Sequence, residues 1–468
     1  MKFTELSEYH FRPGLVTEWR AVPGTDPGAL SDDPRPPSYL QEAHLRRVVV
    51  DREVHIRAPT WLATVFDLPG PVDPVALNAA FRRWIGRHET LRSAFRHSAG
   101  ELRLRTLAPE DVAVRSNVVG DMAEGAEIAR YLDDLFDRAT DPLHWPSYAF
   151  ATVSRADSTT VCLAFDHVNV DGYSILLVAH EIHELYAAEV SGTPAALGEV
   201  GSYVDFGSAE RTQAAALGGD HPVIRRWREF LGPAGDGLPR FPAEVRSVPG
   251  EPARQSGRCE WLLAPGEADA VEAACRAGRG TLFTGVLAAA ALAGAELSGA
   301  PVFRTVVPFH TRSKTWWSAS LGWYIGLAPL ELTLPEHGGF HDLVRAAGRA
   351  AREVRPMAKV PFARVCELLG APLRPRFVLS YMDLRATPGS QRWPEWNARA
   401  CYARVASRDE VYVWINRTHE GVYATCRYPS SGHAAEHVPR YVDAIRRILG
   451  EVAVSGDLAI EAPVPVAV

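Results

Sequence analysis

The architecture of this chain is most clearly indicated by the stretch Asp166-His167-Val168-Asn169-Val170-Asp171-Gly172. The residues just before it, 160–165, form a short apolar run of the kind that makes a buried strand. The polar, glycine-ended stretch itself is typical of a loop at a strand end. Between Tyr173 and Val190, apolar residues recur at three- and four-residue steps, which predicts a helix. The stretch therefore predicts a strand, a loop that carries His167, and a helix.

His167 is the residue of this loop that is best suited to proton transfer. An imidazole titrates near neutral pH, so it can accept a proton and return it. The spacing His-x-x-x-Asp-Gly is also common by chance, and a plain loop histidine is the alternative. The rest of the chain has to decide between these two interpretations.

Length and composition limit the possible classes of protein. With 468 residues the chain is too long for one compact core, and we expect two domains. The formal net charge of −6 and the pI of about 6.3 argue against a nucleic-acid-binding protein, because no basic excess is available to neutralise phosphates. The six cysteines form no Cys-x-x-Cys pair, so we expect buried free thiols in a cytoplasmic protein.

No segment of the sequence indicates a membrane protein or a secreted one. The N-terminus lacks a signal-peptide pattern. The longest weakly polar stretch, Leu282 to Ala295, is shorter than the roughly 20 residues that cross a bilayer. Its alanines and Gly285 favour a tightly packed internal helix.

Strand and helix patterns alternate in both halves of the chain, which predicts an α/β (α+β) fold. We predict a first domain over residues 1–217, which carries the His167 loop, and a second over residues 258–468. The Pro- and Gly-rich stretch between them, 218–257, is predicted to be a linker or crossover. Asp73 followed by Pro74 predicts the start of a helix.

Four segments, in order along the chain, resemble condensation-domain proteins of the chloramphenicol acetyltransferase-like superfamily. They are Arg87 to Phe95, His167 to Gly172, Val307 to Arg312 followed by Leu321 to Gly326, and Val360 to Val365. Further segments resemble the stand-alone actinobacterial acyltransferases of the polyketide-associated-protein type. They are Pro36 to Gln41, Leu143 to Trp145, and Ser380 to Arg385.

This resemblance implies two acetyltransferase-like lobes that form a pseudo-dimer with a V-shaped cleft and tunnel, and a monomeric protein. The implied activity is acyl transfer in natural-product or lipid biosynthesis, with His167 as general base. The implied donor is a thioester on coenzyme A or on the phosphopantetheine of an acyl or peptidyl carrier protein, so no bound cofactor is implied. A hydroxyl acceptor, giving an ester, is favoured over an amine, giving an amide. A non-catalytic module that docks carrier proteins is the alternative from another class.

Asp166 departs from the resembled family, in which a second histidine often precedes the catalytic one. Adjacent strand residues point to opposite faces, so Asp166 is expected to point away from the reaction. We interpret Asp171 as a structural anchor in preference to a relay carboxylate, and a buried carboxylate needs a charged partner. Arg92 is the first choice of partner and Arg312 the second. Gly172 is expected either to adopt a positive φ or to allow a close approach.

The remaining candidate residues concern substrate binding. The backbone N–H groups of Gly172 and Tyr173, near the start of the predicted helix, can stabilise an oxyanion. Ser380, Tyr381 and Asn416 are candidates to line a substrate tunnel. Four aromatic residues are expected either to line an acyl channel or to pack in an interface, namely Trp316, Trp317, Trp323 and Tyr324.

Two other kinds of site are disfavoured by their motifs. His180-Glu181-Ile182-His183 lacks the His-Glu-x-x-His spacing of a zinc site and has no evident third ligand, so we predict a solvated helix face and no metal. No glycine-rich phosphate-binding loop supports nucleotide binding.

Overall fold

The computed structural model describes residues 1–24, 30–55, 59–98, 100–233, 237–245, 255–405, 407, 409–430 and 432–461. In chain order its strands are β1 (Lys2–Glu5), β2 (Gly14–Pro23), β3 (Ser31–Asp33), β4 (Trp61–Pro69), β5 (Ser93–Ser98), β6 (Glu101–Thr106), β7 (Val112–Met122), β8 (Tyr148–Ser154), β9 (Ser158–Asp166), β10 (Gln255–Leu263), β11 (Val302–His310), β12 (Ile325–Thr333), β13 (His337–Gly339), β14 (Phe377–Asp383), β15 (Arg399–Tyr402), β16 (Val411–Thr418), β17 (Gly421–Pro429) and β18 (Ala459–Glu461). The helices are α1 (Tyr39–Glu53), α2 (Pro74–Arg87), α3 (Gly125–Ala139), α4 (Ser174–Ser191), α5 (Tyr203–Ala215), α6 (Pro222–Leu231), α7 (Pro265–Ala277), α8 (Leu282–Ser298), α9 (Phe340–Val354), α10 (Phe362–Leu369) and α11 (Gly432–Ser455). The mixed α/β class predicted from the sequence is confirmed.

The first of two compact units comprises Met1–Ala216, Arg312–Tyr324 and Thr387–Val405. Its main sheet has the strand order β1-β15-β4-β9-β8-β2-β7, and strands β3, β6 and β5 form a small second sheet. Strand β9, which ends at Asp166, lies between β4 and β8 and is antiparallel to both. The predicted strand before the His167 loop is therefore confirmed, and it is an interior strand of the sheet.

Helices cover both faces of this sheet. Ala63 and Val65 of β4 pack in an apolar cluster with residues of α3. Between them, Thr64 points the other way, and its hydroxyl donates a hydrogen bond of 2.5 Å to the carbonyl of Ile175 in α4. Because successive side chains of a strand face opposite sides, α3 and α4 lie on opposite faces.

Helix α2 begins where its sequence predicts. The side chain of Asp73 accepts hydrogen bonds from the backbone N–H groups of Val75 and Ala76, and Pro74 occupies the first turn. A carboxylate in this position satisfies donors that have no partner inside the helix. The apolar face that follows, with Phe81 and Trp84, is buried.

The second unit comprises Leu217–Thr311, Ile325–Ala386 and Ala406–Val468. Its main sheet has the order β10-β17-β16-β14-β11-β12, and β13 pairs with β18. Strand β14 is parallel to both of its neighbours. One large apolar cluster fills this unit and includes residues from helices α6 to α11.

The alanine-rich stretch predicted to be a packed internal helix is α8 of this second unit. A Cβ atom added to Gly285 would lie 2.3 Å from the sulfur of Cys275, so only glycine allows α7 and α8 to pack this closely. Across the described residues, a single helix with the length and apolar composition to cross a membrane is not found. The pair α7 and α8, bent by 91°, meets that test only when both helices are taken together.

The compact units differ from the predicted contiguous halves in two places. Segments Arg312–Tyr324 and Thr387–Val405 come from the second half of the sequence but belong to the first unit. The physical reason for the second is strand pairing, since β15 inserts between β1 and β4 of the first sheet. The predicted linker also differs, because it contains helix α6 of the second unit. Residues 234–236 and 246–254 of that linker lie outside the described residues.

Candidate active site

The His167 loop, residues 167–173, connects the end of β9 to the start of α4, as predicted. The backbone N–H of Asp166 donates to the carbonyl of Ser147, and the N–H of Asn169 donates to the carbonyl of Asp166. The side chain of Asn169 is fully buried, and its amide donates to the Ser147 hydroxyl at 2.7 Å. These bonds hold the loop in one conformation. Sequence reasoning gave Asn169 no role, because a polar residue in a loop is ordinary.

The His167 ring lies against an aromatic side chain. It stacks on the indole of Trp323, with 3.8 Å between ring centroids and 29° between ring planes. The hydroxyl of Tyr203 donates to the carbonyl of Trp323 at 2.9 Å and so holds the backbone that carries the indole. Among the described residues, the buried Nδ1 atom of His167 has no hydrogen-bond partner of ordinary geometry.

The pKa of His167 is lowered to about 4, chiefly because burial penalises the charged imidazolium. The nearby His44 also lowers this pKa, whereas the carbonyl of His167 itself, Asp166 and Asp171 raise it by smaller amounts. Since the pKa lies below the ordinary value, His167 is neutral throughout the neutral pH range. A neutral imidazole has a free lone pair, which is the form that accepts a proton.

Asp171 is an anchor of this site, and its charged partner is Arg312. The Arg312 guanidinium lies 3.1 Å and 3.3 Å from the two carboxylate oxygens. Only 1% of the Asp171 side chain and 5% of the Arg312 side chain are exposed. The carboxylate also accepts from the backbone N–H groups of Ser174 and Tyr324 at 2.7 Å and 3.0 Å. These contacts join the His167 loop to the segment Arg312–Tyr324.

Arg92, the first choice of partner for Asp171, was the wrong one. Its guanidinium donates to the backbone carbonyls of Gly86 and Leu107. It therefore closes the turn between α2 and the strands that follow, and burial lowers its pKa. The sequence cannot tell which of two arginines pairs with Asp171, because the folded chain sets their distances to it.

Ser174 and Gly322 also connect the His167 loop region to the segment Arg312–Tyr324. The Ser174 hydroxyl donates to the Gly322 carbonyl at 2.9 Å and accepts from Arg312 at 2.8 Å. A Cβ atom on Gly322 would lie 2.4 Å from the ring of Tyr203, so this position requires glycine. We refer to His167, Asp171, Ser174, Arg312 and Trp323 as the His167 cluster. Sequence analysis did not identify Ser174, and no motif marks it.

Gly172 does not adopt a positive φ, so that part of the expectation was wrong. The Asp171 carboxylate holds the following residue pair by accepting from the N–H of Ser174, with Gly172 outside the left-handed region. A Cβ atom at Gly172 would lie 3.7 Å from the ring of Phe3, an ordinary contact. Tyr173 directly precedes α4. Among the described residues, the N–H groups of Gly172 and Tyr173 donate to no hydrogen-bond acceptor.

Asp166 has the most unexpected surroundings. Its carboxylate accepts from His44 Nε2 at 2.9 Å, from the Thr60 hydroxyl at 2.7 Å and from the N–H of Val168 at 2.8 Å. The His44 ring in turn contacts the Trp323 indole edge-on, at 5.6 Å between centroids. Asp166 thus reaches the His167 cluster indirectly, through His44, and the expectation that it points away from the reaction stays a prediction. No sequence signal marks His44.

The predicted aromatic residues have different roles in the packing. Trp323 belongs to the His167 cluster. The Arg312 guanidinium lies 4.1 Å from the centre of the buried Tyr324 ring. Trp317 and Tyr324 pack on Phe206 of α5, and half of Trp316 is exposed. Trp317 and Tyr324 therefore pack inside the first unit, and a role of these residues in an acyl channel or in an interface between the halves stays a prediction.

Ser380, Tyr381 and Asn416 lie on β14 and β16 of the second unit. Tyr381 lines a cavity of about 350 Å³ together with Phe283 and Phe309. The amide of Asn416 is buried, and neither of its polar atoms has a partner among the described residues. The contacts of the His167 cluster described above do not include these three residues, so their role in substrate binding stays a prediction.

The residues of the rejected zinc motif have other partners on α4. The carboxylate of Glu181 accepts from Trp84, Arg87 and His88. His183 Nδ1 donates to the carbonyl of Ala179, and its ring stacks on Trp396 at 4.0 Å. The predicted solvated face was wrong for both residues, because each is packed into the first unit.

The fold and this cluster define a class of protein. The chain belongs to the condensation-domain family, whose family model matches residues 60–453. The resemblance inferred from the four segments is confirmed. The His167 loop lies within the matched range and follows a strand, as the motif requires.

Comparison with individual proteins narrows the class. The chain is 30% identical to trehalose-2-sulfate acyltransferase PapA2 of Mycobacterium bovis, over 98% of this chain and 99% of the relative. It is 27% identical to acyltransferase PapA3 of Mycobacterium tuberculosis, over 96% of each chain. A solved structure of a PapA2 acyl transferase superposes with a TM-score of 0.88 at 28% identity, covering 97% of this chain and 100% of that one. The protein is therefore an acyltransferase of the PapA type, with the chloramphenicol acetyltransferase-like fold.

Proposed function

We propose that this acyltransferase moves an acyl group from a thioester to a hydroxyl group, with His167 as general base. The observation that carries the proposal is the neutral imidazole of His167, stacked on Trp323 and held in a loop that Asp171 and Arg312 anchor. A group that stays neutral in the neutral pH range is ready to accept the proton of an attacking alcohol.

The proposed reaction is direct attack through a complex of both substrates. The acceptor oxygen attacks the thioester carbonyl carbon while its proton passes to His167 Nε2. The tetrahedral intermediate then collapses, the carbon–sulfur bond breaks, and the imidazolium returns the proton to the leaving thiolate. The low pKa of His167 makes that imidazolium strongly acidic, which favours the return. The products are an ester and a free thiol, and the enzyme is unchanged.

Direct attack is favoured over an acyl-enzyme because no suitable nucleophile is at hand. The buried Nδ1 atom of His167 has no hydrogen-bond partner among the described residues, so no serine, threonine or cysteine is bonded to that nitrogen. The hydroxyl of Ser174 is committed to Gly322 and Arg312. Burial raises the pKa of Cys162, the cysteine of β9, and so suppresses its thiolate. Activation of a nucleophile by an adjacent base is therefore not supported by this geometry.

The oxyanion of the intermediate needs hydrogen-bond donors. The N–H groups of Gly172 and Tyr173 are the proposed donors, because they lie beside the start of α4 and have no acceptor of their own. A helix start carries a partial positive charge, which stabilises developing negative charge.

The proposed donor carries pantetheine, either as coenzyme A or on a carrier protein, and the proposed acceptor is a hydroxyl of a polar molecule. The second point is supported by PapA2, which is named as an acyltransferase of trehalose-2-sulfate. The test incubates the purified protein with an acyl-coenzyme A or an acylated carrier protein. Each donor is combined with trehalose, trehalose-2-sulfate, simple alcohols and amines, and products are identified by mass spectrometry.

The expected outcome is thiol release that depends on an alcohol and is matched by ester formation. Amide products with amines would favour the amide-forming alternative. A carrier protein that binds without any transfer to the whole panel would favour the docking module. An acylated form of the protein, seen without acceptor and consumed on its addition, would contradict direct attack.

The pH dependence of turnover is a first prediction. The base must be neutral to work, so kcat/KM is lost as pH falls through the pKa of His167 in the free enzyme. Because that pKa is about 4, kcat/KM is expected to stay level far below the ordinary histidine value. The measurement is kcat/KM in short assays from neutral pH downward, with circular dichroism to show that the fold persists. Loss of half the activity near the ordinary value of about 6.5 would contradict the prediction.

A further inference from the structure

The Asp166–His44 pair is buried beside the proposed base and has no part in the reaction described above. Only 7% of the His44 side chain and 2% of the Asp166 side chain are exposed. Three donors satisfy the carboxylate, namely His44 Nε2, the Thr60 hydroxyl and the Val168 N–H. So complete a set of donors stabilises the ionised form of a buried carboxylate.

His44 is the basic partner of the Asp166 carboxylate. A buried carboxylate requires a nearby positive charge. Among the described residues, no arginine or lysine is ion-paired with Asp166, and His44 is its one basic partner. The ring nitrogen of His44 that contacts Asp166 is the donor, because the carboxylate oxygen can only accept. Asp166 therefore fixes the orientation of the His44 ring.

Helix α1 directs His44 at this place. Ser38 caps the helix, and Gln41 completes a capping box. One turn before His44, the amide of Gln41 donates to the carbonyl of Val168 at 3.0 Å. Leu45 packs with Val168 in a small apolar cluster. Three neighbouring residues of α1 thus contact the residues on either side of His167, which makes the placement of His44 well determined.

We propose that the Asp166–His44 pair is a positioning device, in which Asp166 orients His44 and His44 fixes the Trp323 ring against His167. The His44 ring meets the indole of Trp323 edge-on, an arrangement that aromatic pairs favour. The stacked contact of Trp323 with His167 lies on the same indole. The inference rests on the proposed function only in calling His167 a base.

The charged groups that act on His167 give the sign of the expected effect. His44 opposes its protonation, whereas Asp166 and Asp171 favour it, and Asp171 is in turn paired with Arg312. Replacing His44 with glutamine keeps a donor for Asp166 and removes the basic ring that opposes protonation of His167. The pKa of His167 is therefore expected to rise by about one unit, the usual size of one nearby charge. Asp166→Asn removes a carboxylate that favours protonation of His167 and weakens the hold on His44, which opposes it, so its effect is expected to be smaller.

The test is an NMR titration of the protein with isotopically labelled histidine, and the His167 signal is identified by its absence in His167→Ala. The matched control is His144→Gln, because His144 also bonds an aspartate, at 2.8 Å, but is mostly exposed. The His167 pKa is expected to rise most in H44Q and less in D166N. In H144Q the His167 pKa is expected to equal that of the parent. A His167 pKa that is unmoved or lowered in a folded H44Q, or moved equally by H44Q and H144Q, overturns the inference.

This readout does not require turnover. If the His167 pKa shifts as expected but the parent transfers no acyl group to any acceptor, the proposed function fails. The effect of His44 on the His167 pKa then still stands. If the parent forms esters and the titration does not shift, the function stands and the positioning pair fails. Circular dichroism at each pH restricts the comparison to folded protein.

Discussion

Alanine in place of His167 is expected to reduce kcat by roughly a factor of 10² to 10⁴, the usual contribution of a general base. This corresponds to about 3 to 5 kcal/mol of transition-state stabilisation. Binding of the thioester is expected to change little, since the imidazole interacts most strongly with the proton in transit. The measurement is steady-state kinetics with the donor and acceptor found in the product survey.

His183→Ala is the matched control for this variant. His183 lies in the same unit, stacks on a tryptophan, and has its pKa lowered to about 4, mainly by burial. Among the described residues, its hydrogen-bond and ring partners are Ala179, Phe66 and Trp396, all outside the His167 cluster, so the kcat of this variant is expected to stay near that of the parent. Equal turnover by the parent and a folded His167→Ala protein would rule out the general-base role.

Alanine in place of Arg312 is expected to destabilise the protein strongly. It leaves the Asp171 carboxylate buried without its guanidinium partner, a change that costs about 3 to 5 kcal/mol. For a unit of this size the melting temperature is expected to fall by on the order of 10 °C. Turnover is expected to fall as well, because the His167 loop loses its anchor. Thermal unfolding followed by circular dichroism, and kinetics well below the melting temperature, measure the two effects.

The matched control is Arg12→Ala, since Arg12 pairs with Asp157 in the same unit at 2.7 Å with both side chains largely exposed. Water solvates an exposed pair, so the melting temperature of this variant is expected to stay close to the parent's. A second variant, Arg312→Lys, keeps the charge but lacks the planar guanidinium, and an intermediate melting temperature is expected. If Arg312→Ala melts no lower than Arg12→Ala, the anchor role of the Asp171–Arg312 pair is wrong.

The loop and its flanking elements were predictable because their signals are local. An apolar run, a glycine-ended polar stretch and a helical periodicity lie within 160–190, and the structure has β9, the His167 loop and α4 there. The helix start at Asp73 and Pro74 was predictable for the same reason, since a cap acts within one turn. The resemblance to a family allowed the fold of the whole chain to be predicted, because several motifs that are weak singly occur in the order of that family.

Contacts between distant residues were not predictable to the same degree. Arg92 and Arg312 offered the same guanidinium, and only the folded chain brings residue 312 to Asp171, across 141 positions. His44 reaches Asp166 across 122 positions and carried no motif at all. The bounds of the two units were also not predictable, because β15 joins the first sheet by pairing with β1 and β4, which are distant in sequence.

The sequence by itself therefore determined the class of fold, the family and the loop that carries His167. These follow from the order of residues along short segments, where spacing translates directly into backbone geometry. The tertiary structure alone decided which arginine neutralises Asp171, which ring stacks on His167 and what satisfies Asp166. Those choices depend on strand pairing and packing that bring distant segments together. Residue types and their local spacing do not reveal which distant residues will be in contact.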